Sequence, residues 1–234
     1  MMKSVAVIGS NGFVGSEISK QIKLSRNYKL IPIIRGDDIE SLISSADIII
    51  HSANPAKRFF AEQNPEQDFL ESVEKTSEIK ALARNKTLVL ISSISARTQL
   101  DTVYGRNRRS CELITDENES LIIRLGPMYG EGKSIGALND IINNRKVFVA
   151  SSTKYGFVDV EYNAKKIVSL LDQSIKVGLI EIGSKNGISL EFLRDELGSS
   201  STFEGDDDTQ IPIDPPLDAP DAYDVLSFAK SMIK

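Results

Sequence analysis

The seven residues that follow the first apolar run constrain this chain more than any others. Val5-Ala6-Val7-Ile8 leads directly into Gly9-Ser10-Asn11-Gly12-Phe13-Val14-Gly15, and Phe13, Val14, Ile18 and Ile22 then continue at helical spacing. A buried strand that turns through three glycines, spaced three apart, into a helix brings backbone N–H groups close to a diphosphate. The first glycine makes the turn, the second lets the phosphates approach, and the third lets the helix pack closely on the strand. Three glycines can also form an ordinary strand-to-helix turn. The strand before them and the helical pattern after them point instead to a dinucleotide site.

Strand-like apolar runs at 5–8, 29–34, 48–50, 88–91, 121–125 and 179–182 alternate with helical patterns at about 14–24, 39–45, 66–84, 106–115 and 161–174. Near-continuous apolar strands between helices predict a parallel sheet covered on both faces. The expected fold is therefore a Rossmann-type, doubly wound α/β domain over 1–234. Residues 1–125 are mainly dinucleotide-binding, and 126–234 form a small substrate-binding portion. Residues 198–220 read as irregular, with Ser199-Ser200-Ser201, Asp206-Asp207-Asp208 and four prolines, and a short helix is expected at about 221–232.

Composition narrows the setting. A hydrophobic fraction of 41% supports a proper core, and no run approaches the roughly 20 apolar residues that cross a bilayer. Met1-Met2-Lys3 leads straight into a strand, so no signal peptide is expected. Cys111 and His51 are the chain's one cysteine and one histidine, which speaks against a disulfide framework and against a metal site. The expectation is a soluble cytoplasmic protein. The net charge of −5 is uneven: 3 basic and 10 acidic residues lie from 194 onward, leaving the first 193 residues slightly positive. Such a body suits an anionic small molecule and gives no reason to expect nucleic acid or a membrane as partner.

Two constellations carry chemistry. Arg35 follows the second strand, where an acidic residue holds the ribose 2′-OH of NAD and an arginine accommodates the 2′-phosphate of NADP. Arg35 with the Ser10 hydroxyl points to NADP, while Asp37 keeps NAD as the alternative. Further on, Ser92-Ser93 ends the run at 88–91, and Tyr104-Gly105-Arg106-Asn107-Arg108 follows. A tyrosine can give or take a proton at a substrate oxygen, a nearby cation favours its phenolate form, and a serine hydroxyl can hold the same oxygen. Arg97, Arg106, Arg108, Arg109 and Arg124 supply a local positive field that can hold a diphosphate, or, for the helical arginines, form a solvated face. Lys133, in Gly130-Glu131-Gly132-Lys133-Ser134, either reaches a phosphate or is solvated. Cys111 and His51 read as packed residues.

These segments together resemble the extended short-chain dehydrogenase/reductase superfamily, the branch of NAD(P)-dependent nucleotide-sugar epimerases, dehydratases and reductases. Gly9, Gly12 and Gly15 match its cofactor motif, and Asp38-Ile39 resembles its adenine-contacting pair. Residues 46–53, ending in Ser52-Ala53, resemble the strand that lies beside the cofactor. Ser93 stands in the catalytic serine's place, and Tyr104 with Arg108 and Glu112 follows the pattern Tyr-(x)₃-Lys-(x)₃-Glu. Residues 124–130 and 157–164 resemble the segments near the nicotinamide and the substrate. The resemblance runs from residue 4 to about 190. It implies a nucleotide-sugar or related carbonyl substrate, and a homodimer through the helices at about 66–84 and 102–115.

The departures are specific. Arg108 replaces the family's lysine, and arginine never gives up its proton in a protein. Ser72 stands where the family usually has asparagine, and only ten residues separate Ser93 from Tyr104. Two functions follow. One is a hydride-transfer enzyme with catalytic Ser93, Tyr104 and Arg108, substrate cations Arg97, Arg124 and Lys133, and a cofactor held by residues 9–15, Arg35, Asp38, Ile39, Ser52, Ala53, Tyr104 and Arg108. The other is a redox sensor or scaffold that binds NAD(P) without turnover.

Overall fold

The structure, a computed structural model, describes residues 2–233. In chain order it runs β1 (Lys3–Ile8), α1 (Phe13–Ser25), β2 (Tyr28–Ile33), α2 (Ile39–Ser44), β3 (Ile48–His51), α3 (Arg58–Gln63) and α4 (Pro65–Phe69). A π-helical turn, Leu70–Glu74, joins α4 to α5 (Lys75–Leu82). Then come β4 (Thr87–Ser93), α6 (Ser95–Thr98), α7 (Val103–Thr115), β5 (Leu121–Leu125), β6 (Met128–Tyr129), α8 (Ala137–Ile142), β7 (Lys154–Tyr155) and β8 (Val158–Asp159). The chain ends with α9 (Val160–Asp172), β9 (Gly178–Ile182), β10 (Ile188–Ser189), α10 (Leu190–Glu196) and α11 (Val225–Met232).

Six strands form the main sheet in the order β2-β1-β3-β4-β5-β9, and the β1/β2, β1/β3 and β3/β4 pairs run parallel. This is the Rossmann-type arrangement expected from the alternation, with the crossover at β1/β3 placing the glycine turn beside the end of β3. The short connection after β2 leaves β2 as the sheet edge. Gly9 and Ser10 both donate to the Ile33 carbonyl, so Ile33 faces β1 and Pro32 faces the open edge. Proline has no N–H to offer another strand there.

The chain divides into two compact units. One comprises residues 1–124 and 164–180; the other comprises 125–163 and 181–234. Most of α9 and the start of β9, within residues 164–180, belong to the first unit. In that unit, Ala6, Ile8, Ile33, Ile49 and Leu88 pack with Ile43 of α2 and Ile79 of α5. Leu90 and Ile122 pack with Val73 and Cys111 of the π turn and α7. Each fully buried aliphatic side chain is worth about 1.5–3 kcal/mol, so these two clusters hold the helices on the sheet. The second unit has its own core, which includes Tyr129, Ile141, Tyr155, Phe157, Ile188, Leu193 and Val225.

Helix α7 starts at Val103, three residues before the periodicity suggests. Thr102 caps it by accepting from the Gly105 N–H at 2.9 Å, and Gly105 lets its first turn press onto the Gln99 and Ser95 carbonyls. Residues 203 and 210 within the irregular stretch make isolated bridges to Val147 and Tyr155, while the rest is turns and loops.

A buried carboxylate fastens α7 to the sheet. Glu112 accepts from Arg124 Nε and Nη2 of β5 at 2.8 and 2.7 Å, from Ser92 Oγ of β4 at 2.7 Å, and from Arg109 Nη1 at 3.0 Å. Four donors compensate for its desolvation, and removing the charge strands Arg124. Glu112→Gln is expected to destabilise the protein by about 3–5 kcal/mol in urea unfolding. A loss below about 1 kcal/mol would show that the network contributes little.

Candidate active site

The glycine turn has the form that the sequence suggests, and each glycine has its own reason. Gly9 has φ +86°, and a Cβ there would meet Ala53 Cα and the Ser52 carbonyl at 2.9 Å. A Cβ on Gly15 would run into the Gly9 carbonyl, so its absence brings α1 close to β1. Gly12 is the N-cap residue, in extended conformation, with its N–H on the Gly9 carbonyl at 3.0 Å. The first bond into the helix is Ser16 N–H to Gly12 O, which leaves the first-turn amides of Val14 and Gly15 for an anion at the positive helix end. Phe13 opens the helix, and Asn11 is exposed. The Ser10 hydroxyl donates to the Ile33 carbonyl at 3.2 Å.

Segment 52–55 links this turn to the tyrosine helix. Ser52 N–H donates to the Ile8 carbonyl at 2.9 Å, and Ala53 walls Gly9. Two residues on, the Pro55 carbonyl accepts from Arg108 Nη2. Arg108 is 2% exposed, and its guanidinium lies 4.8 Å from the centre of the Tyr104 ring, one helical turn away. Among the described residues its Nε and Nη1 have no hydrogen-bond partner, and neither does the buried Ser72 Oγ of the π turn. Unpaired buried donors on a charged group are costly, and these two leave an edge of the guanidinium open to an acceptor. The cradle without side chains and the open guanidinium edge both fit a dinucleotide.

His51, at the end of β3, supports the same segment. Its Nδ1 accepts from the Ala53 N–H at 3.4 Å, which assigns the proton to Nε2, 3.1 Å from Thr76 Oγ1. Burial, and then the positive charges of Arg108 and Lys75, hold its pKa down to about 3.

Ser93 ends β4, with its Oγ accepting from the Ser95 N–H at 3.2 Å, while Ser92 is committed to Glu112. Tyr104 lies in the first turn of α7, half-buried, on the helix that packs against the 95–99 turn after Ser93. Arg35 is exposed and paired with Glu71, whereas Asp38 caps α2 through the Ser41 N–H and Ile39 packs into the core. Arg97 is half-buried on α6. Arg124, expected on the substrate side, forks onto Glu112 as a buried strut; its planar donors match that carboxylate in both distance and direction. Lys133 belongs to the second unit, where burial lowers its pKa. Cys111 is a core residue whose thiol burial pushes up.

Two buried polar residues escaped the sequence reading. Asp68 of α4 accepts from Asn107 Nδ2 at 2.8 Å and leaves Oδ1 unpaired. Gln99, under the first turn of α7, has both amide atoms unpaired. Neither belongs to a motif, so only their burial identifies them.

No family model matches the sequence, and no curated protein matches it. Solved structures do match. A dTDP-4-dehydrorhamnose reductase from Bacillus anthracis in complex with NADP is 15% identical, with 99% of this chain and 100% of that chain covered and a TM-score of 0.80. A UDP-glucuronic acid 4-epimerase from Bacillus cereus, in complex with UDP-glucuronic acid and NAD, is 17% identical over 98% of this chain and 92% of that one, with a TM-score of 0.75. An NAD-dependent NDP-hexosamine 5,6-dehydratase is 14% identical, with coverages of 99% and 91% and the same score. The chain therefore shares the fold of these nucleotide-sugar epimerases, dehydratases and reductases.

Two outcomes follow from this geometry. Gly9→Ala forces a side chain into positive φ and against the Ala53 backbone, so a loss of at least about 1–3 kcal/mol is expected in urea unfolding; an unchanged midpoint would refute the wall. His51 is neutral in the fold and has an ordinary pKa near 6.5 when unfolded, so below that pH the unfolded chain binds the extra proton. Stability contributed by the neutral ring is complete above about pH 6.5 and is lost toward pH 3. Stability should fall by up to about 1.4 kcal/mol per pH unit across this window, and the fall should be shallower in His51→Gln. Equal slopes in the two proteins would show that His51 is not the group responsible.

Proposed function

We propose that this protein binds a nicotinamide dinucleotide along the glycine turn and acts as an oxidoreductase or epimerase on a nucleotide-activated sugar or a related carbonyl compound. One observation carries the reading: segment 52–55 walls Gly9 at one end and accepts from Arg108 at the other. Phosphate cradle and tyrosine helix are thereby parts of one continuous structure. The bound complexes of the structural neighbours, with NADP or with NAD and UDP-glucuronic acid, support it.

The dinucleotide, when bound, supplies or accepts the hydride. Residues 9–15 hold its diphosphate through backbone amides, and Ser52 and Ala53 line the same turn. Arg108, with Nε and Nη1 open, would help to hold the dinucleotide, and it places a fixed positive charge beside Tyr104. Tyr104 gives or takes the proton at the substrate oxygen, and Ser93 Oγ donates a hydrogen bond to that oxygen. Because Arg108 keeps its proton, it takes no part in passing on the proton that Tyr104 exchanges. Arg97 remains a candidate for the sugar-nucleotide diphosphate.

The second reading, dinucleotide binding without turnover in a redox sensor or scaffold, is favoured by the same arginine, which cannot take part in a proton relay. Incubation with NADPH or NADH and a panel of 4-keto nucleotide sugars, read by nicotinamide absorbance, separates the two. Tyr104→Phe should lower turnover roughly 10²–10⁴-fold while the protein still binds the dinucleotide. Arg108→Lys should retain turnover, and Arg108→Met should weaken dinucleotide binding. Tight binding by the wild type with no turnover of any sugar in the panel would give the sensor reading the better claim.

A further inference from the structure

We infer that Asp68 is the positioning residue for Arg108, its buried carboxylate being the counter-charge that holds the guanidinium in place beside Tyr104 with two donors open. What this implies for ligand binding rests on the proposed dinucleotide site; the charge pairing itself does not.

Arginine keeps its proton in a protein, whereas a buried lysine can shed its proton and escape the cost of desolvation. A guanidinium that is 2% exposed therefore needs either a full set of acceptors or a permanent negative charge. Arg108 lacks the acceptors. Its Nη2 reaches the neutral Pro55 carbonyl, and among the described residues Nε and Nη1 have no partner.

Two carboxylates of the first unit are buried among the described residues, Glu112 and Asp68. Glu112 is committed elsewhere: Arg124 takes both of its oxygens, Arg109 takes one, and Ser92 takes the other. One negative charge there already meets two positive ones. Asp68 is different. It is fully buried on α4, and its Oδ2 accepts from Asn107 Nδ2 at 2.8 Å. Asn107 is a neutral amide and Oδ1 has no partner, so no bond that Asp68 makes balances its charge.

Asn107 immediately precedes Arg108 in α7, so this bond brings the carboxylate against the turn that carries the arginine. Cys111, one turn further along, lies within reach of both charges. Burial pushes its thiol pKa up, Arg108 opposes that rise, and Asp68 adds to it. Opposite charges in a low-dielectric interior attract strongly without touching. The pair is thus balanced through space, which leaves Nε and Nη1 unoccupied.

The experiment is a double-mutant cycle on the whole protein, read by urea unfolding and by fluorescence titration with NADPH. Asp68→Asn removes the charge but keeps an oxygen for Asn107, which separates the counter-charge from the hydrogen bond. In the wild-type background it should lower the folding constant roughly ten- to a hundredfold, as for the loss of a charged partner. It should also weaken NADPH binding roughly three- to tenfold. In the Arg108→Met background the carboxylate is itself the unpaired charge, so Asp68→Asn should raise the folding constant and leave NADPH binding unchanged. In the Arg108→Lys background, where the amine can shed its proton, the cost of Asp68→Asn should be smaller than in the wild type. Should Asp68→Asn alone fail to fold, the double variant with Arg108→Met is expected to fold, and failure of both would overturn the inference. Equal losses of stability in the wild-type and Arg108→Met backgrounds would make Asp68 a mere link between α4 and α7. An NADPH effect that persists without the arginine would overturn the positioning role. A wild type that binds neither NADPH nor NADH would overturn the dinucleotide reading, while the reversal of sign in stability would still uphold the charge pairing and its absence would overturn it.

Discussion

The ionised Glu112 side chain, buried between β4, β5 and α7, is the interaction on which the site's geometry depends. Arg124 grips it from one strand, Ser92 from the next, and Arg109 from its own helix. Few arrangements of a helix on a sheet satisfy a buried carboxylate with four donors, so the network selects one register. With Glu112 fixed, Arg108 and Tyr104 follow one and two turns earlier on the same helix. Alongside, Asn107 meets Asp68, and Lys80 of α5 donates to the Thr115 carbonyl at 2.8 Å. The helix that carries the proposed chemistry is thus anchored along its length, while its cationic centre is left with unsatisfied donors.

That contrast gives the site its character. Most buried polar groups in a fold find partners, and among the exceptions in the described residues are Arg108 Nε and Nη1, Ser72 Oγ and Asp68 Oδ1. The π turn that carries Ser72 departs from regular α-helical bonding at this same level. Stability is given up locally and recovered in the sheet, in the apolar clusters and at Glu112. A binding site prepared for a polar ligand has this distribution, because the groups that will meet the ligand cannot also be satisfied without it.

Much of the fold was legible because its signals are local. The strands at 5–8, 48–50 and 121–125 are continuous apolar runs, as strands buried on both faces must be. The glycine turn was legible for a stronger reason: Gly9 and Gly15 are dictated by a backbone conformation and a close approach that no other residue tolerates. Helix α7 was placed three residues late because Thr102 caps it ahead of its first periodic residue. The π turn was invisible, since one inserted residue hardly disturbs a helical pattern. Strands β6, β7, β8 and β10 are two residues each and exist only through pairing with distant partners, so no periodicity could reveal them.

By itself, then, the sequence determined the α/β alternation, the glycine turn, and the candidate pair Ser93 and Tyr104. Those features rest on neighbouring residues and on steric rules that act within a few positions. Tertiary structure alone decided what the charged residues do. It committed Arg124 to Glu112, turned Asp37 and Asp38 onto their own backbone, paired Arg35 with Glu71, and buried Arg108 with two donors open. The physical reason is that a charge takes its role from the partner and the dielectric around it, and both are supplied by residues far away along the chain.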